Sequence, residues 1–313
     1  MSEKTIVVAL GGNALIEEGT EGTMEQQFAN TRKSMGAIVG LVREGYRVVL
    51  THGNGPQAGV HLIRNEVAAS QVPPSSLNVI VADTQGSIGY MIQQSLVNAL
   101  MQAGIRKDVV TVVTQVVVDK DDPSMSNPTK YVGPFFRAEN LADCRARGWV
   151  IKEDPGRGYR RVVASPKPLD IVETEVIRDL LNGGRVVIAA GGGGVPVYKN
   201  PDGTLEGMDA VIDKDRASAL LAGLIGADDF LILTGVEKVA LNFRKPDMRT
   251  VDVMTVAEAQ RYQSEGQFPK GSMGPKIEAA VDFIRRGGSR VVITNLENAR
   301  AAARGEAGTR IVP

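Results

Sequence analysis

The run Thr5-Ile6-Val7-Val8-Ala9-Leu10 ends in Gly11-Gly12-Asn13, and this short stretch decides how the rest of the chain is read. A β-branched, apolar run stopped by paired glycines describes a strand of a parallel α/β sheet that ends in a tight turn. The same design returns twice. Arg47-Val48-Val49-Leu50-Thr51-His52 runs into Gly53-Asn54-Gly55-Pro56, and Arg185-Val186-Val187-Ile188-Ala189-Ala190 runs into Gly191-Gly192-Gly193-Gly194. In such a sheet the strand ends form one edge, and ligands bind in the crevice outside it. Glycine there removes Cβ, so backbone N–H groups can surround an anion. One such turn reads equally well as a simple βα connection. Three of like design predict a site for phosphate.

Outward from these turns, short apolar runs alternate with segments of helical period. Residues 24–44 place Phe28, Met35, Ile38, Val39 and Val42 near one face, closed by Gly45. A second helix follows Pro56, and a third runs roughly from Ala82 to Ala103. Val109–Val118 reads as one long strand. Glu173–Leu181 and Asp213–Ile225 read as helices, and Asp229–Thr234 as a strand. Pro275 stands in the first turn of another helix, entered through Gly271-Ser272-Met273-Gly274. Strands at 289–294 and 308–312 flank a short last helix. This alternation predicts a mainly parallel sheet with helices on both faces.

One stretch breaks the rhythm. Residues 119–168 hold Pro123, Pro128, Pro134, Pro155, Pro166 and Pro168. Within them, Trp149–Asp154 and Tyr159–Ala164 flank Pro155-Gly156-Arg157-Gly158, a hairpin signal. The stretch reads as a β-rich insertion projecting over the edge where the glycine turns lie, or as a surface excursion without a catalytic part.

Composition narrows the chemistry. The 313 residues carry 36 Lys+Arg against 36 Asp+Glu, so no net field recruits nucleic acid or an anionic membrane. No apolar run approaches a bilayer span, and Ile6–Leu10 is too short for a signal-peptide core. The single Cys144 cannot form an internal disulfide, which fits a reducing, cytoplasmic setting. Two histidines, His52 and His61, are too few for a histidine-based metal site. His52 reads as a packed residue or as one that orients a loop or ligand. No P-loop pattern occurs. Gly53-Asn54-Gly55-Pro56-Gln57-Ala58 fits a loose dinucleotide pattern, but Pro73-Pro74 stand where the acidic ribose ligand belongs.

What remains is a set of lysines and acids beside the turns. Asp209-Ala210-Val211-Ile212-Asp213-Lys214-Asp215 leads into a helix, with Asp213 read as its cap. A cation at a helix start is unfavourable unless an anion accompanies it. Lys214 and Lys276 both have that oddity, and Lys130 lies in the insertion within Pro128-Thr129-Lys130-Tyr131. Each alone reads as a solvated lysine. Together, beside glycine turns, they fit phosphoryl transfer, which needs positive charge and positioning more than covalent help.

The chain resembles the carbamate kinases of the amino-acid-kinase superfamily. The resemblance is carried by Ala9–Leu15, Thr51–Gln57, Pro128–Lys130 with Gly133–Phe135, Arg160-Arg161-Val162-Val163-Ala164-Ser165-Pro166, Gly191–Pro196, Ala210–Asp215 and Gly271–Lys276, in the family's order across the chain. It implies an open three-layer αβα sandwich with a protruding subdomain near 119–168, and a homodimer. It implies reversible transfer between ATP and carbamate, giving ADP and carbamoyl phosphate, with Mg²⁺ carried by the nucleotide and no metal ligands of the protein's own. Residues 1–208 would carry the acceptor side and 209–313 the nucleotide side. Gly11, Gly12, Asn13, Gly53 and Asn54 would cradle carbamate and the phosphoryl group. Lys130 would reach in from the subdomain, Lys214 would neutralise the transferring phosphate, and Asp209 would orient the lysines. Gly192, Gly193, Asp215, Met273 and Lys276 would belong to the nucleotide. The family's expected use is ATP synthesis during arginine or related nitrogen breakdown. Tyr131 and Gly235 depart from the family pattern. Another kinase of the superfamily would share the sandwich but lack the insertion motifs. A silent nucleotide-binding regulator would lose lysines that are present here, and a nicotinamide oxidoreductase lacks its acidic ribose ligand.

Overall fold

The computed structural model describes residues 3–16, 20–154, 158–269 and 271–313, with the side chains of Asn13 and Pro134 also left out. The strand Thr5–Leu10 lies in the middle of an eight-stranded sheet. On one side it pairs in parallel with Arg47–His52, followed by Val186–Ile188 and Val109–Thr111. On the other it pairs in parallel with Asp229–Leu233, followed by Arg290–Thr294. Thr309–Val312 and Val253–Thr255 close that side and run opposite to the other six strands. Earlier strands extend the sheet one way and later strands the other, so the order reverses at Thr5–Leu10. The crevice outside its carboxyl end is the favoured ligand position of such a sheet.

All six residues of the central strand are buried, and its alternating side chains feed two separate cores. Val7 and Ala9 join Val49, Phe230 and Ile232 beneath the helices Thr174–Asn182, Lys214–Leu224 and Met273–Arg285. Ile6, Val8 and Leu10 join Leu50 and Leu231 beneath Met24–Arg43, Leu77–Gln102 and Ala299–Ala303. The result is the expected αβα sandwich. No helix among the described residues is long and apolar enough to cross a membrane.

The single strand expected over Val109–Val118 is two. Val109–Thr111 ends the main sheet, whereas Gln115–Val118 belongs to a four-stranded sheet with Val195–Lys199, Leu205–Gly207 and Pro168–Ile171. Thr114 makes the break. The Gln85 side chain accepts its N–H at 2.8 Å and donates to its carbonyl at 3.0 Å, replacing the ladder at a buried position. The third helix also begins earlier than expected, at Leu77, because Asp209 Oδ1 accepts the Leu77 N–H at 2.9 Å.

The insertion forms a three-stranded antiparallel sheet: Lys130–Phe136, Gly158–Val163 and Ile151–Asp154. Pro155, Gly156 and Arg157 of the expected hairpin turn lie outside the described residues; Gly158 opens the returning strand. This small sheet, the candidate lid, rests on the helix Gly55–Ala68. A Cβ added to Gly59 would stand 3.6 Å from Gly133 Cα, and Leu62 shares a small core with Val132 and Val163.

Candidate active site

Four chain segments begin helical structure around one cavity of about 280 Å³. They are the short 3₁₀ turn Gly12–Ala14 and the helices Gly55–Ala68, Lys214–Leu224 and Met273–Arg285. Helix starts present unpaired N–H groups and the positive end of the helix dipole. Converging them makes the cavity a receptor for a strongly anionic group. Gly11 does not line this cavity but an adjoining pocket with Leu233, Thr234 and Gly235; a Cβ there would stand 2.6 Å from the Leu233 carbonyl oxygen of the neighbouring strand. Gly193, at φ +97°, would meet the Ile212 carbonyl at 2.3 Å. A larger cleft of about 520 Å³ lies near Lys167, Arg216 and Glu278. It has no glycine turn, and its Arg216–Glu278 pair is already closed at 2.6 Å.

The three lysines singled out in the sequence all line the cavity. Lys214 Nζ lies 2.8 Å from Asp215 Oδ1, and Lys276 Nζ lies 2.9 Å from Asp215 Oδ2. One carboxylate therefore holds two cations from two helices. Burial alone would raise the Asp215 pKa, but Lys214 and Lys276 reverse that and hold it well below the ordinary carboxylate range. Lys130 comes from the lid, and its Nζ lies 2.9 Å from Asp213 Oδ2. The other Asp213 oxygen caps the helix of Lys214, accepting the N–H groups of Asp215 and Arg216 at 3.0 and 3.4 Å. Burial again opposes ionisation of Asp213, and Lys130 leads the charges that lower its pKa. Ser218 Oγ donates to the Lys214 carbonyl at 2.6 Å and meets Thr51 Oγ1 at 2.6 Å, tying that helix start to the strand Arg47–His52.

The remaining predicted residues fall around this cluster. Gly12, Gly53, Asn54 and Gly192 share the cavity wall, with Gly53 packed against the Lys214 side chain. Asn54 is buried and donates from Nδ2 to Thr84 Oγ1 at 2.8 Å. Gly192 lies against that same amide. Met273 begins its helix without lining the cavity. Asp209 does not contact the lysines: it is exposed and caps the helix Leu77–Gln102. The carboxylates that touch lysines are Asp213 and Asp215. A lysine flanked by an acid on each side was the signal in the sequence, and the second oxygen of Asp213 was the part missed there. His52 is buried, and its Nδ1 donates to the Gly53 carbonyl at 3.0 Å. Burial leads in lowering its pKa to about 4, so it is a neutral support for the glycine turn.

The family profile described as the Amino acid kinase family matches residues 4–295. The carbamate kinase of Thermococcus kodakarensis is 48% identical over 99% of both chains. The chain belongs to the amino acid kinase family, among its carbamate kinases. It is a phosphotransferase. The carbamate kinase-like protein YahI of Escherichia coli is 47% identical over 99% of both chains. The solved structure of Giardia lamblia carbamate kinase bound to AMP-PNP superposes with a TM-score of 0.93 at 40% identity, covering 99% of each chain.

Proposed function

We propose that this carbamate kinase family member transfers a phosphoryl group reversibly between ATP and carbamate, and that it runs toward ATP synthesis. The observation that carries the reading is Asp215 gripping Lys214 and Lys276 while the lid sets Lys130 on the adjacent Asp213. Carbamate attacks phosphorus through an oxygen that is already anionic, so no general base is required. That agrees with a buried histidine kept neutral. What the reaction needs is charge neutralisation on the transferring group, in-line positioning and exclusion of water. The lysines supply the first. Backbone N–H groups at Gly11, Gly12 and Gly53 supply the second, together with Asn13 and Asn54. The lid supplies the third.

In this reading Gly192 and Gly193 sit nearer the acceptor than the nucleotide, because Gly192 packs on Asn54. The nucleotide occupies the half built from residues 209–313, beside Lys276 and Met273, and the acceptor occupies the half built from residues 1–208. Mg²⁺ arrives as part of the nucleotide substrate; both carboxylates of the cavity are taken up by lysines. The protein acts as a cytoplasmic homodimer in arginine or related nitrogen catabolism. The exposed Tyr90, Val97 and Met101 on the helix Leu77–Gln102 offer an apolar face for the second copy.

The test is ATP formation from ADP with carbamoyl phosphate, set against acetyl phosphate. Efficient use of carbamoyl phosphate is expected. Efficient use of acetyl phosphate with none of carbamoyl phosphate would refute the assignment.

A further inference from the structure

Carbamate differs from acetate and bicarbonate at one end only, where an amino group replaces a methyl or a hydroxyl. A planar carbamoyl nitrogen offers two N–H donors, so a site that selects it needs oxygen acceptors. Most polar groups of the cavity are donors: three lysines and the glycine N–H groups. Asp213 and Asp215 are engaged by those lysines. Besides the hydroxyls of Tyr131 and Ser272, the side-chain acceptors left on the cavity wall are the amide oxygens of Asn54 and Gln57.

The orientation of each amide is fixed by a hydrogen-bond chain ending on a backbone carbonyl, which can only accept. Thr84 Oγ1 donates to the Val81 carbonyl at 2.8 Å, so it accepts from Asn54 Nδ2 at 2.8 Å. Asn54 Oδ1 is thereby turned away from Thr84, and no donor among the described residues meets it. Gln27 Nε2 donates to the Gly22 carbonyl at 2.7 Å, so its Oε1 accepts from Gln57 Nε2 at 2.9 Å. Gln57 Oε1 is buried and has no partner among the described residues. A buried acceptor left unmet is destabilising unless a ligand completes it. Asn54 precedes the helix Gly55–Ala68 as its N-cap, and Gln57 lies three residues on in the first turn.

We propose that Asn54 Oδ1 and Gln57 Oε1 form the subsite for the carbamate amino group and set the preference for carbamoyl over other acyl phosphates. This rests on the carbamate reading above. The lysines meet phosphate charge, which carbamoyl phosphate and acetyl phosphate share, so they do not discriminate between the two. The amides meet the end that differs.

The experiment measures kcat/KM for carbamoyl phosphate and for acetyl phosphate, with ADP saturating, in wild type and in Asn54→Leu, Gln57→Met and Asn54→Asp. Both substrates are read on the same preparation, so the ratio is independent of how much of a variant folds. Asn54→Leu and Gln57→Met are expected to lower the carbamoyl-to-acetyl ratio by about 10- to 100-fold, the scale for losing a hydrogen bond that a site was built to make. Asn54→Asp keeps an acceptor, so it is expected to slow both substrates and preserve the ratio. Equal losses on both substrates in the leucine and methionine variants, or an unchanged ratio, overturn the subsite alone. A wild type inactive with carbamoyl phosphate overturns the carbamate reading instead.

Discussion

The body and the lid each contribute cations to one cavity, but they hold them differently. In the body, the Lys214 and Lys276 side chains are 16% and 14% exposed and share a carboxylate that is 4% exposed. From the lid, Lys130 is 36% exposed and sits on an acid that is 15% exposed. The body lysines stand at the starts of two helices that pack on the sheet, so they are fixed before any ligand arrives. The lid lysine rides on a small sheet that rests on one helix. Desolvating a charge is costly, so a cation carried by a closing lid, as proposed above, is better left partly hydrated. Under the proposed closure, the site would divide permanent charge from delivered charge.

The largest effect expected is from Asp215→Asn. It leaves two buried cations sharing no counterion, a situation that costs about 3–5 kcal/mol when a buried pair is broken. The melting temperature is expected to fall clearly, and kcat to drop roughly 10³-fold as both lysines lose their aim. Asp213→Asn retains a side chain able to cap the helix and releases only the lid lysine, so its melting temperature should stay much nearer wild type. Equal destabilisation by the two variants would break the comparison.

Next come the lysines themselves. Lys214→Ala is expected to lower kcat by about 10²–10³-fold with the fold intact, the scale for removing one preorganised stabilising group. Lys130→Ala is expected to lower turnover as well, while ADP affinity by calorimetry stays within about twofold, because the lid contributes to closure rather than to the nucleotide half. A parallel loss of ADP affinity would place Lys130 on the nucleotide.

His52 tests the body without touching the lid. Its pKa is about 4 in the folded protein against 6.5 ordinarily, chiefly through burial. The unfolded chain takes up the proton first, so stability is complete above about pH 6.5 and declines as the pH falls to about 4. The loss over that window is about 3 kcal/mol. Asp215, with its lowered pKa, adds stability above its ordinary 3.8 that is lost only at lower pH, so the two windows separate. His52→Gln should flatten the decline between pH 6.5 and 4 in thermal melts. An unchanged slope would assign the decline to other groups.

Local signals made much of this legible in the sequence. Glycines after β-branched runs marked the strand ends, and apolar period marked helices such as Met24–Arg43. The long-range events were not legible. Val109–Val118 is one apolar run by composition, and it is split by a glutamine 29 residues earlier that bonds Thr114. Asp209 and Asp215 both lie within five residues of Lys214 in the sequence. Asp209 is drawn off by a helix start 132 residues earlier, which leaves the paired lysines to Asp215. Asp213 was readable as a cap because capping is local, whereas its bond to Lys130 spans 83 residues.

The smallest effect expected concerns how the lid is seated. Arg147 of the lid pairs with Glu66 of the helix Gly55–Ala68, and their side chains are 56% and 33% exposed. Exposed pairs contribute at most about 1 kcal/mol, whereas the packing of Gly133, Val132 and Leu62 is apolar and unaffected by salt. Glu66→Gln should therefore shift the open–closed balance by no more than about fivefold. The expected result is a modest rise in KM for carbamoyl phosphate, unchanged kcat, and convergence with wild type as ionic strength rises and screens the pair. A kcat loss of about tenfold or more would mean that the pair aims Lys130 rather than merely steadying the lid. The delivered charge would then be as rigidly held as the permanent ones, and the contrast between body and lid would lose its basis.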